Sequence, residues 1–316
     1  MDERPSHFSK QIRTLALIAA LTVSGVFVYG VPACATESAT PPEDCRILPQ
    51  DPWEPNAKLG SGPHTGLCVD TANIRSFRRL SLTEVAKVSA LGGYDVTKYE
   101  FFANVQHLNK FWIAAIPKTN RISRIIFQAE HFPPEAIAAH TQLRIDFYPG
   151  REPMLHLQTD LTLPPVKIDS LVVSNEAAKV RGGPDFNLIN GLEGYFAFGK
   201  RIVSLQDEVA RIKAIHHWTE QYELRFPSDQ RRDDILFFAL DYFADPEMKS
   251  IYNTLEHNCS NSLYEAFDLF AGRPRREWDR AQTTLPLAYP WSLRKRGMID
   301  DHSELKSLND EFGFPR

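Results

Sequence analysis

"AAHTQLRIDFYPG", residues 138–150, alternates apolar and polar side chains, with Leu143, Ile145 and Phe147 on one face and a Pro-Gly turn closing it. A period of two makes a half-buried strand, because successive side chains point to opposite faces. The same reading extends outward. "ISRIIFQAEHF" (122–132) precedes it as a strand, and "PMLHLQTDLTL" (153–163) and "IDSLVVSNEAAKV" (168–180) follow. "GLEGYFAFGKRIVSLQD" (191–207) adds another after a Gly-rich break, and "IHHWTEQYELRF" (215–226) adds one with Tyr222, Leu224 and Phe226 alternating.

Helical patterns flank this sheet. "SDQRRDDILFFALDYFADP" (228–246) reads as a helix opened by Ser228 or Asp229 and stopped before Pro246. A further helix carries Leu263, Phe267 and Phe270 and ends near Gly272. On the N-terminal side, Phe101, Phe102, Val105, Leu108, Phe111 and Trp112 fall close to helical spacing. One or two helices are therefore predicted within 82–115. The fold class is α+β, an antiparallel sheet packed against helices.

The chain opens "MDERPSHFSKQIRTLALIAALTVSGVFVYGVPACATESAT", with Lys10 and Arg13 ahead of an apolar stretch that ends in Ala33-Cys34-Ala35. This is the pattern of a secretory signal over 1–35. Cleavage after Ala35 ranks first, retention as a membrane anchor second, and lipid attachment at Cys34 third. An extension over 36–119, linker plus helices, and a main domain over 120–316 follow. The formal net charge is −4, and without residues 1–35 it becomes −5, which argues against nucleic acid as a partner.

Cleavage leaves Cys45, Cys68 and Cys259 in a disulfide-permissive setting. Cys45 and Cys68, close together in a Pro- and Gly-rich stretch, are the natural pair. Cys259 is left over, as a small buried hydrophobe or as a reactive thiol. If Asn258 caps the helix, Cys259 sits in its first turn, where the helix terminus favours thiolate. Ser262 and Glu265 offer a rival start with capping-box spacing, which leaves Cys259 just outside the helix.

A thiol nucleophile needs a base, commonly histidine. His64 and His302 are expected to be exposed, and His107 and His131 surface or structural. The neighbours His216 and His217 lack companions at metal-ligand spacing, and His257 is too close in sequence to Cys259. His140 opens the cleanest strand. Spacing alone leaves the choice open. No cofactor or metal is expected.

"AAHTQLRIDF", "LVVSNEAAKV", "YNTLEHNCSNSLYEAFD" and "LPLAYPWSLRKRGMID" resemble, in this order, the Lnb N-terminal periplasmic domain family of bacterial envelope proteins. The resemblance covers roughly residues 120–300. It implies a circularly permuted papain-like fold, related to NlpC-type peptidases and lecithin:retinol acyltransferase, with the histidine ahead of the cysteine. By that resemblance His140 is the base and Cys259 the nucleophile. The family commonly shows Ser-Val-Glu where this chain has Ser174-Asn175-Glu176, so Glu176 is the candidate orienting residue and His156 the alternative. The implied reaction is acyl transfer through a thioester, as Lnb moves an acyl chain within a lipoprotein from the glyceryl group to the N-terminal amine. The implied substrates are an acyl-lipid, a lipoprotein or cell-wall material, with a membrane surface as a further contact and a periplasmic or envelope location. A cell-wall peptidase or amidase, and a non-catalytic envelope binding module, are the alternatives.

Overall fold

The computed structural model describes residues 44–119, 121–135, 138–242, 245–254, 257–273 and 289–315. The expected signal segment and Cys34 lie outside these residues. Ten strands appear among the described residues. They are β1 (Arg78–Arg79), β2 (Tyr99–His107), β3 (Lys110–Pro117), β4 (Ile122–His131), β5 (Ala139–Phe147), β6 (Met154–Leu157), β7 (Val166–Lys167), β8 (Ser170–Lys179), β9 (Phe196–Ser204) and β10 (Trp218–Glu223). Six α-helices are described: α1 (Leu82–Gly92), α2 (Leu205–Ala214), α3 (Asp229–Tyr242), α4 (Cys259–Phe270), α5 (Tyr289–Lys295) and α6 (Leu308–Phe312). The sheet runs β10-β4-β5-β8-β9-β2-β3-β6-β7, with β1 on β2. Every pairing is antiparallel except β2 with β9. The fold is α+β, an open, mostly antiparallel sheet with helices on both faces.

Strand alternation sorts the core into layers. Leu143, Ile145 and Val173 meet Ile235 and Leu240 of α3, Leu263 and Phe267 of α4, and Leu293 of α5. On the opposite face, Val172 and Val203 meet Leu205 and Ile212 of α2 and Leu308 of α6. Burying each such side chain contributes about 1.5–3 kcal/mol. The α4 register follows: Leu263, Tyr264 and Phe267 fall on one side of the helix and enter the larger core.

The stretch predicted as helix around Phe101–Trp112 is a hairpin of β2 and β3. Both its faces are buried, Phe101 and Ala103 against Val88 of α1, Phe102 and Val105 in the main core. A bulge between Phe102 and Val105, with Asn104 at φ 65°, breaks the alternation and leaves apolar residues at helix-like spacing. Leu108 and Asn109 close the hairpin with φ of 51° and 55°, and Asp207 accepts from both of their N–H groups. Within 82–115 only α1 is helical, opened by a capping box of Ser81 and Glu84.

The segment from Asp44 to Phe77 is tied to this sheet. Cys45 and Cys68 are disulfide-bonded, with Cα atoms 5.3 Å apart. Arg75, 1% exposed, pairs with Asp51 at 2.6 Å and Glu54 at 3.4 Å, and its guanidinium lies over Phe111. The described residues from Asp44 onward belong to one compact unit.

Candidate active site

Asn258 is the N-cap of α4, its side-chain oxygen accepting from Ser260 and Asn261 N–H at 2.9 Å each. Cys259 is therefore the first residue of the helix, and the rival start at Ser262 lies inside it. Cys259 is a free thiol, 5% exposed.

The sheet opens a fork beneath that thiol. β5 and β8 pair from Asp146↔Ser170 to Gln142↔Ser174 and stop. Two residues further on, the same register would oppose His140 to Glu176. β5 stays paired to β4 there through Glu130↔His140, and β8 to β9 through Glu176↔Gly199. By strand alternation His140 and Glu176 belong to the α2 side, and Thr141 and Leu143 to the α4 side. At the fork the two sides meet: the charge of the His140 ring acts on the Cys259 thiol, and the Thr141 backbone N–H favours the thiolate form.

His140 Nε2 lies 3.4 Å from Glu176 Oε1, an ion pair rather than an aligned hydrogen bond, with both side chains 17% exposed. Ser174 Oγ donates to Glu176, and Arg201 Nε lies 3.2 Å from the same carboxylate oxygen. Burial pushes the Cys259 thiol up, but the charge and hydrogen bond of His140 outweigh it. With help from Thr141 N–H and the Ser260 hydroxyl they bring it from 9.0 down to about 7. Burial disfavours imidazolium at His140, yet Glu176 and then Cys259 raise it well above its ordinary value. Glu176 is held well below the carboxylate range, burial being overcome by Arg201 and then His140. Together these shifts favour thiolate and imidazolium.

Tyr252 completes the site and was not singled out from the sequence, although it opens the quoted "YNTLEHNCS" element. Its hydroxyl interacts with the Cys259 thiol, and burial, then the charge of Cys259, pushes its pKa well above the ordinary tyrosine value. It therefore stays a hydrogen-bond donor. Phe186 and Phe198 hold its ring. Beside the thiol a cavity of about 20 Å³ is walled by Leu143, Val173, Leu263 and Ala266, with Asn175 and Lys200 at its polar part. That is room for about one water molecule. Burial lowers the Lys200 amine to about 7, and it donates to Leu240 O at 3.4 Å.

The other described histidines have surroundings of their own, although His217 reaches the fork's edge through Glu130. His156, the alternative third member, hydrogen-bonds Tyr94 OH at 2.7 Å on the β3–β6 side of the sheet. His107 contacts Ser204 Oγ, His131 stacks on Trp218, His217 pairs with Glu130, and His257 stacks on Phe198. His64, expected to be exposed, is half-buried on Tyr195, while His302 and His216 are exposed. Among the described residues no group of three or more His, Cys, Asp or Glu side chains is placed to hold a metal ion. Among them, too, no helix is long and apolar enough to cross a membrane. Comparison with family models, curated proteins and solved structures finds no match to this chain.

Proposed function

We propose that this chain is an exported enzyme of the permuted papain-like class that forms an acyl-thioester on Cys259. The observation that carries the proposal is the thiol in the first turn of α4, electrostatically coupled to a histidine that is itself paired to a half-buried carboxylate. The Cys259 thiolate attacks the carbonyl carbon of an ester or amide. The S–C bond forms, the bond to the leaving oxygen or nitrogen breaks, and the His140 imidazolium gives its proton to the leaving group. An amine, alcohol or water then attacks the thioester, His140 takes its proton, and the thiolate departs. Glu176 orients His140 and supports its positive charge.

The oxyanion formed on attack needs a donor beside the sulfur. Ser260 and Asn261 N–H are committed to Asn258. We assign this role to the neutral Tyr252 hydroxyl, which is coupled to the Cys259 thiol and to the Cys259 backbone N–H. The substrate class, an acyl ester or amide of a lipid, lipoprotein or cell-wall component, follows from the resemblance; Leu143, Val173, Leu263 and Ala266 give the space next to the thiol an apolar side.

The test is incubation of the purified mature chain, expected to begin at Thr36, with phospholipid, lipoprotein peptide or muropeptide, followed by intact-mass analysis. A hydroxylamine-sensitive acyl adduct on Cys259, lost in Cys259→Ala and reduced in His140→Ala, is the expected result. Cys259 is only 5% exposed, which favours the alternative of a non-catalytic envelope binding module. Absence of any adduct, with a thiol that reacts only after unfolding, would establish that alternative.

A further inference from the structure

The His140–Glu176 pair is backed by charges that the mechanism above does not use. Arg201 stands opposite Ser174 in the β8–β9 register, so its side chain shares the face of Ser174 and Glu176. Its Nε lies 3.2 Å from Glu176, an ion pair without an aligned hydrogen bond, and its Nη2 donates to Glu208 Oε2 at 2.7 Å. Glu208 belongs to the first turn of α2 and is fully buried. Its other oxygen accepts from Arg211, which also reaches Glu130, the residue opposite His140 on β4. His217 Nδ1 meets Glu130 Oε1 at 2.7 Å and closes the chain at the rim.

Three carboxylates, Glu130, Glu176 and Glu208, share two guanidiniums, Arg201 and Arg211. A protonated His140 adds a third positive charge beside them. Burying that many carboxylates is costly unless each is paired and held in place. An arginine gripped by one fixed carboxylate can hold a second carboxylate in one orientation, which a flexible ammonium does less well.

We propose that Arg201 is a positioning residue of this site: clamped by Glu208, its guanidinium holds the Glu176 carboxylate ionised and aimed at His140, and thereby keeps Cys259 in its reactive form. The proposal rests on the reading of Cys259, His140 and Glu176 as the catalytic group. Arg201 touches neither the thiol nor a substrate, so its effect passes through Glu176 and His140. An arginine that only ties α2 to the sheet would affect stability without affecting the thiol.

The experiment is the rate of iodoacetamide alkylation of Cys259 against pH in the full folded chain, with thermal unfolding recorded in parallel. Arg201→Met is expected to move the alkylation midpoint upward and slow the reaction at pH 6 about tenfold, with the plateau at high pH unchanged, since one pKa unit is tenfold in thiolate. Arg201→Lys, which keeps the charge without the planar fork, and Glu208→Gln, which loosens the clamp, are expected to give smaller shifts in the same direction. They decide the matter if Arg201→Met does not fold. Melting temperatures that fall while every folded variant keeps the wild-type midpoint overturn the proposal, provided His140→Ala does move that midpoint. A wild-type midpoint near 9 that His140→Ala leaves in place overturns the catalytic reading itself, and this inference with it.

Discussion

His140 Nε2 and Glu176 Oε1 face each other at 3.4 Å where the β5–β8 pairing ends, two register steps beyond Gln142↔Ser174. Had the two strands stayed paired through those steps, the backbone ladder would close the path between the two sides of the sheet. The opening lets a thiol carried on the α4 side reach a histidine that strand alternation assigns to the α2 side.

Glu176→Gln keeps the shape of the carboxylate and removes its charge. His140 then loses the largest contribution favouring imidazolium, and with it the thiolate is weakened. Acyl-adduct formation at pH 7 is expected to fall about tenfold or more, measured by intact mass against time. An unchanged rate would remove Glu176 from the site.

Tyr252→Phe separates stabilisation of the oxyanion from activation of the thiol. Removing one oxyanion donor typically costs about 10²–10³ in rate. Adduct formation is expected to slow by about that factor, while alkylation by iodoacetamide, which has no oxyanion, stays within a few-fold of wild type. Equal slowing of both reactions would show that Tyr252 acts on the thiol itself.

Asn258→Ala removes the cap that holds the first turn of α4. About 1 kcal/mol of stability is expected to be lost, read from the midpoint of urea unfolding. The thiol should also become less acidic, because the fraying terminus no longer presents an ordered positive end to the sulfur.

Much of this site could be read from residue order. Alternation around Leu143, Ile145 and Phe147 puts His140 at a strand start, and Asn258 as a cap, with Ser262 as the rival, puts the thiol at or just before a helix start. Both are local signals of period and capping. Glu176 came only through the resemblance, because nothing local marks a carboxylate that acts on a residue of another strand. Arg201 and Tyr252 gave no signal for the same reason: their roles depend on register and on a loop returning to the sheet. The hairpin of β2 and β3 has the apolar spacing of a helix because both of its faces are buried and the bulge at Asn104 breaks the period.

The N-terminal segment offers a test away from the site. Asp51→Ala leaves the buried Arg75 guanidinium with a weakened partner set, Glu54 at 3.4 Å alone among its carboxylates. Breaking such a pair typically costs about 3–5 kcal/mol. Denaturant unfolding should show a loss of that size. A loss below about 1 kcal/mol would mean that the segment is held by its disulfide and apolar contacts instead.

The most direct measurement of the central claim is the pH dependence of Cys259 alkylation in wild type and His140→Ala. The thiol is held below its ordinary 9.0, so thiolate is the majority form above about 7, and the rate should rise through a midpoint near 7 and then level. The imidazolium is raised, so the pair persists as pH climbs past the ordinary histidine value and is lost only as pH rises through the folded-state pKa of His140. His140→Ala should carry the alkylation midpoint upward to 9 or beyond, because burial then acts without its counterweight. A wild-type midpoint near 9, unmoved by the substitution, would contradict the account and return Cys259 to the core as an inert buried thiol.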